Sequence, residues 1–119
     1  MFFMKKVYCV ATCGTCQRMI KDADLLKKGY TSQNIKEEKI TPAQLDEMKD
    51  LMGSYEALFS RRALKYKSMG LKDKKLTEKD YRDLILQEYT FLKRPVVISG
   101  KKIYSGSEKK TVSEVLKLK

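Results

Sequence analysis

Apolar and polar positions follow several rhythms along this chain, and the places where the rhythm changes mark its elements. Val7-Tyr8-Cys9-Val10-Ala11 is a short β-prone run ending in the small-residue turn Thr12-Cys13-Gly14-Thr15, which predicts a strand. From Cys16 onward Met19, Ile20, Ala23 and Leu26 recur at helical spacing, with Lys27 and Lys28 in the last turn and Gly29 as a stop, so a helix is expected there. Tyr30 to Ile35 reads as a second extended segment, and a strand-helix-strand unit this short implies parallel pairing of its two strands.

Thr41-Pro42-Ala43-Gln44 combines an N-cap, a proline at the first helical position and a glutamine placed to complete a capping box. Leu45, Met48, Leu51 and Met52 give the helix that follows an apolar face. Between Tyr55 and Leu71 no single period holds: Ala57-Leu58-Phe59 is apolar, Ser60-Arg61-Arg62 interrupts it and Met69-Gly70 turns the chain, which predicts short helical pieces and loop. Thr77 opens another helix, with Tyr81, Leu84 and Ile85 inward, running to about Tyr89. Val96-Val97-Ile98 is β-prone, Ser99-Gly100-Lys101 is a turn and Lys102 to Ser105 returns, which is a hairpin. Thr111-Val112-Ser113-Glu114 reads as a further capping box, leading a helix with Val115, Leu116 and Leu118 on its apolar side. The order is β-α-β, helices, then β-β-α, and 119 residues fit a single domain over 1–119 with a helical segment at about 41–90.

Charge changes the picture only in part. Twenty-six Lys and Arg face 15 Asp and Glu, a net +11, which attracts anions. The lysines are spread along the chain with no arginine-rich run and no aromatic RNA-binding motif, so direct nucleic-acid binding is not expected. No apolar run approaches the roughly 20 residues of a membrane-spanning helix. Met1-Phe2-Phe3-Met4-Lys5-Lys6 puts its apolar part before its charge, the reverse of a secretory signal. A cytoplasmic protein is therefore expected.

That location bears on the cysteines, because a reducing compartment disfavours a disulfide scaffold and favours catalytic or metal-binding use. Three cysteines and no histidine do not make a four-ligand zinc site, and the missing histidine removes Ser-His and Cys-His catalysis. No metal and no bound cofactor are expected. Cys13-Gly14-Thr15-Cys16 falls between a strand and a helix, where the first sulfur meets unpaired N–H groups and the positive end of the helix dipole. A thiolate is stabilised there, and the thiolate is the nucleophile. Cys13 is assigned as nucleophile and Cys16, one turn on, as resolving thiol, whereas Cys9 inside the strand is read as core. Arg94-Pro95 has two accounts. Proline suits the first residue of a strand; alternatively the peptide is cis and the turn lies beside Cys13.

Cys13-Gly14-Thr15-Cys16, the segment Lys65 to Leu71 and Lys93-Arg94-Pro95-Val96-Val97-Ile98 together resemble the glutaredoxin-coupled type of arsenate reductase, a family that also contains the Spx transcription regulators. The likeness spans nearly the whole chain. It implies an α/β, thioredoxin-like fold with a helical insertion between an N-terminal βαβ half and a C-terminal ββα half, and a cis-proline at Pro95. It also implies that Cys13 attacks arsenate, with Gly14, Thr15, Arg94 and Pro95 around the anion, and that glutathione or a glutaredoxin- or thioredoxin-like dithiol protein restores the thiols. Cys16 stands where those reductases have serine. Two further family arginines fall on Ser60 and Ser105, with Arg61 and Arg62 one and two positions from the first as nearest substitutes for anion binding. Spx-type relatives carry a Cys-x-x-Cys switch and bind RNA polymerase, so the resemblance admits two activities: reduction of a disulfide or small oxyanion, and redox-switched docking onto a polymerase.

Overall fold

The computed structural model describes residues 5–106 and 108–118; Met1-Phe2-Phe3-Met4, used in the signal argument, lie outside the described residues. The first apolar run forms β1 (Lys5–Cys9), in which Val7, Tyr8 and Cys9 are all buried. A strand buried on both faces belongs in the middle of a sheet. The sheet order is β2-β1-β3-β4, with β2 at Thr31–Asn34, β3 at Val96–Ser99 and β4 at Lys102–Ser105. β1 runs parallel to β2, with Val7 opposite Ser32, and antiparallel to β3, with Val7 opposite Val97. Both the parallel unit and the hairpin read from the sequence are therefore present. Gly100, at φ 63, takes the left-handed conformation that lets Ser99 pair with Lys102 across a two-residue turn.

Two compact units divide the chain: Met1–Lys39 with Arg94–Lys119, and Ile40–Lys93. The first holds the sheet, α1 (Gly14–Asp22) and α5 (Lys109–Leu116). Val7, Cys9 and Val97 of the sheet pack with Cys16, Met19 and Ile20 of α1 and Val115 of α5 in one apolar cluster. The Val, Ile and Met side chains among them each contribute about 1.5–3 kcal/mol on full burial.

The second unit holds α2 (Pro42–Met52), α3 (Leu64–Ser68) and α4 (Glu78–Gln87), with short 3-10 turns at Glu56–Leu58, Leu71–Asp73 and Tyr89–Phe91. Two of the three helix starts read from capping signals form as capping boxes: Thr41 exchanges hydrogen bonds with Gln44, and Thr77 with Asp80. Leu45, Met48, Tyr81 and Ile85 are buried. Phe59 stacks on Phe91 at 5.0 Å and meets Tyr81 at 4.9 Å, which makes an aromatic centre for this unit. The irregular stretch 55–71 consists of short helical pieces and loop, as its broken periodicity predicts.

Two helices differ from their expected bounds. The first stops at Asp22, six residues before Lys28, because Asp24 adopts φ 53 and closes a Schellman cap: its N–H donates to the Lys21 carbonyl, and that of Leu25 to Ile20 at 3.1 Å. The reversal buries Leu25 completely and leaves Leu26 60% exposed. The last helix begins at Lys109 with Glu108 as its N-cap, so Thr111 lies inside it and caps nothing. Starting earlier brings Val112 onto the stripe with Val115 and Leu118 that meets the core, while Leu116 is left 45% exposed. The α4 helix ends at Gln87, two residues short of Tyr89. The whole is the α/β, thioredoxin-like arrangement, with a helical insertion between its βαβ and ββα halves.

Candidate active site

The end of β1 delivers the chain to a tight turn closed on one acceptor. The Val10 carbonyl takes the N–H of Cys13 at 2.9 Å and the side-chain amide of Gln17 at 3.3 Å. Asn34, at the end of β2, adds a second tether: its Oδ1 accepts from Ala11 N at 3.4 Å and from Lys36 N at 3.2 Å. Neither Gln17 nor Asn34 stood out in the sequence. The signal for Asn34 was present, since Asn at a strand end bonds locally to the backbone two residues on.

Cys13 emerges from this turn as the N-cap of α1, in extended backbone, and no side-chain hydrogen bond caps the helix. The first-turn N–H groups are thus available to a charged sulfur. Burial resists ionisation of Cys13, and it is outweighed by the backbone N–H and thiol of Cys16 as donors, the charge of Arg94 and the N–H of Thr15. Together these hold the Cys13 thiol below the usual value of 9.0.

Cys16 behaves in the opposite way. It is fully buried, and burial, with its hydrogen bond to Cys13, pushes its thiol up to about 12. Cys9, in the core at 4% exposure, is also raised, first by burial, with Gln17 opposing. The three free thiols therefore differ: Cys13, partly exposed, ionises more readily than an ordinary thiol, Cys16, buried behind it, ionises less readily, and Cys9 sits in the core. Gly14 and Thr15 are exposed, and a Cβ added at Gly14 would meet nothing within 4 Å, so the backbone beside Cys13 is open there.

Arg94 and Pro95 reach the same end of the sheet from β3, whose Val96 pairs with Tyr8 of β1. The Arg94–Pro95 peptide is cis, and the Pro95 carbonyl accepts from Gly106 N at 2.9 Å. Cys13, Gly14, Thr15, Cys16, Arg94 and Pro95 thus belong to one unit, and the charge of Arg94 is felt at both sulfurs. Arg61 and Arg62 belong to the other unit. There Arg61 donates to Glu56 at 3.0 Å and to Tyr81 Oη at 3.1 Å, while Arg62 is exposed. Ser60 donates its N–H to the Phe91 carbonyl at 2.6 Å. Ser105 Oγ is buried with no hydrogen-bond partner among the described residues. Also among the described residues, no three His, Cys, Asp or Glu side chains converge as a metal site requires, and no helix is long and apolar enough to cross a membrane.

The model of the ArsC family matches residues 8–115, from the first strand into the last helix. No curated protein matches the sequence. Solved structures do. A candidate arsenate reductase from Yersinia pestis superposes with a TM-score of 0.78 at 16% identity, covering 98% of this chain and 100% of that one. An arsenate reductase from Vibrio cholerae gives 0.71 at 20% identity, over 94% and 98% of the two chains. A Staphylococcus aureus COL protein solved by NMR gives 0.75 at 25% identity, over 93% and 97%.

Proposed function

The chain belongs to the ArsC family, and from that premise we propose that it is a thiol-redox enzyme in which Cys13 is the nucleophile and Cys16 the resolving thiol. The observation that carries the reading is the contrast between the two sulfurs. One is partly exposed and shifted toward the thiolate at a helix N-terminus; the other is buried, shifted toward the thiol and within hydrogen-bonding reach of it.

With a disulfide as substrate, the Cys13 thiolate attacks one sulfur, forms a mixed disulfide and expels the other half as a thiolate. Burial is the first cause of the raised Cys16 thiol, but once Cys13 is covalently bound its hydrogen bond and charge no longer add to it, so Cys16 loses its proton more readily. It attacks Cys13 Sγ, forms the Cys13–Cys16 disulfide and releases the second thiolate. With arsenate, Cys13 displaces one oxygen as water, and attack by Cys16 on Cys13 Sγ leaves the electron pair on arsenic, giving arsenite and the same disulfide. Either route takes two electrons from the protein. Two glutathione molecules, or a glutaredoxin- or thioredoxin-like dithiol, return them, and a reducing cytoplasm would supply either. Arg94 and the N–H groups of the Cys13 turn hold the anionic partner, Arg94 through its planar donor fork.

The test is turnover of arsenate and of a small aromatic disulfide with glutathione as reductant. Cys13→Ser abolishes both. Cys16→Ala permits the first attack, so the Cys13 adduct accumulates and is visible as a mass increase on the intact protein. Turnover that survives Cys13→Ser overturns the assignment.

A further inference from the structure

The stretch between Ser60 and Thr77 carries charge in a way the rest of its unit does not. Ile40–Lys93 contains eleven Lys and Arg against nine Asp and Glu, close to balance. Seven of those cations and only one carboxylate, Asp73, lie in residues 61–76. This stretch therefore has a net charge of +6 and the remainder of the unit −4. Arg61 and Lys65 are engaged by Glu56 and Glu88. Arg62, Lys67, Lys72, Lys74 and Lys75 are exposed and form no ion pair among the described residues.

An apolar component lies among these cations. Leu64 is 88% exposed and Met69 46% exposed. The α3 helix buries none of its residues; Tyr66 touches the edge of Phe59 and Leu71 is the buried anchor. Leu64 and Lys67, three apart on α3, share a face, and α3 packs against the 3-10 turn that presents Lys72. Exposed apolar side chains interspersed with unpaired cations along one segment combine the apolar and charged contacts that a protein interface uses.

We propose that residues 61–76 form a docking surface for an acidic protein segment that carries leucine-like side chains, its carboxylates meeting the lysines and its apolar groups covering Leu64 and Met69. The observations favour such a partner over nucleic acid. The cations are mostly lysine, and Tyr66, the one aromatic residue of the stretch, is half-buried against Phe59 rather than free to stack on a base. Exposed Leu and Met answer apolar groups that a phosphate backbone lacks. This inference does not rest on the cysteine chemistry.

The probe is a fluorescein-labelled synthetic peptide of Glu and Asp with leucines at helical spacing, titrated with the full-length reduced protein and followed by anisotropy. Binding is expected, weakening as salt rises. The triple variant Lys67→Glu, Lys72→Glu, Lys75→Glu is expected to lose about tenfold or more in affinity, and Leu64→Ser, at an exposed position that folding does not need, about threefold. Polyglutamate of equal length, having the charge without the leucines, should bind more weakly than the peptide. The proposal is overturned if the peptide does not bind, if Leu64→Ser and the charge reversals leave its affinity unchanged, or if polyglutamate or a single-stranded oligonucleotide binds more tightly.

Discussion

At the scale of single residues, the site depends on which sulfur carries the charge. Burial works against a Cys13 thiolate, so its preference for ionisation comes from the donors around it: Cys16, then Arg94, then the Thr15 amide. Alkylation of Cys13 by iodoacetamide, followed by mass spectrometry across pH, should therefore show a midpoint below 9.0. Cys16→Ala and Arg94→Ala should each move that midpoint upward, while Cys9→Ala, which removes a buried neutral thiol, leaves it nearly unchanged. Linkage gives the matching signs for stability. The depressed Cys13 contributes above the ordinary thiol range and loses its contribution as pH falls through its folded value. Cys16 contributes below that range and loses its contribution as pH rises toward about 12. An unshifted Cys13 midpoint would make it a passive thiol. The strand-turn-helix setting and the order of the cysteines were legible in the sequence, since spacing alone puts Cys16 one turn behind Cys13. The tethers from Gln17 and Asn34 were not, because each depends on which carbonyl or amide the folded turn presents.

At the scale of elements, legibility followed the local chemistry. Thr41-Pro42-Ala43-Gln44 and Thr77 to Asp80 encode their helix starts through bonds that close within four residues, so they could be read directly. The stop of α1 could not. Gly29 looked like the obvious C-cap, but Asp24 tolerates the left-handed conformation and allows Leu25 to bury five residues sooner. At the C-terminal end the pull of Val112 toward the core overrode a local capping pattern and left Lys109 and Lys110 in the first turn of α5. Two cations there oppose the helix dipole, a local conflict with a measurable cost. Lys110→Glu, at an exposed position, should stabilise the protein by about 0.3–1 kcal/mol at low ionic strength. A raised urea midpoint with unchanged slope would register the gain, and no change would mean that the first turn of α5 does not feel its own dipole.

At the scale of the whole molecule, the net charge of +11 was countable from the sequence, but its distribution required the boundaries of the two units. Ile40–Lys93 has nearly balanced charge and holds all three ion pairs found among the described residues, Glu56–Arg61, Lys65–Glu88 and Asp46–Arg82. The unit with the sheet and the cysteines has fifteen Lys and Arg against six Asp and Glu, a net +9, and holds none of these three pairs. Salt therefore acts on two opposed quantities. It weakens the three pairs, each partly exposed and worth about 0–1 kcal/mol, and it screens the repulsion among the uncompensated cations, which at ~0.01 M acts over about 30 Å and at ~1 M over about 3 Å. With so few pairs and so large an excess, screening should dominate. The melting temperature of the reduced protein should rise by a few degrees between those ionic strengths, at about 4 °C for each kcal/mol gained. Sodium chloride and potassium fluoride should act alike, because screening depends on ionic strength and not on the anion. A melting temperature that falls with salt would mean that the three ion pairs contribute more than the repulsion costs. A rise confined to one anion would instead point to a bound ion, and the cations around it could then be found by repeating the melt on Arg94→Ala.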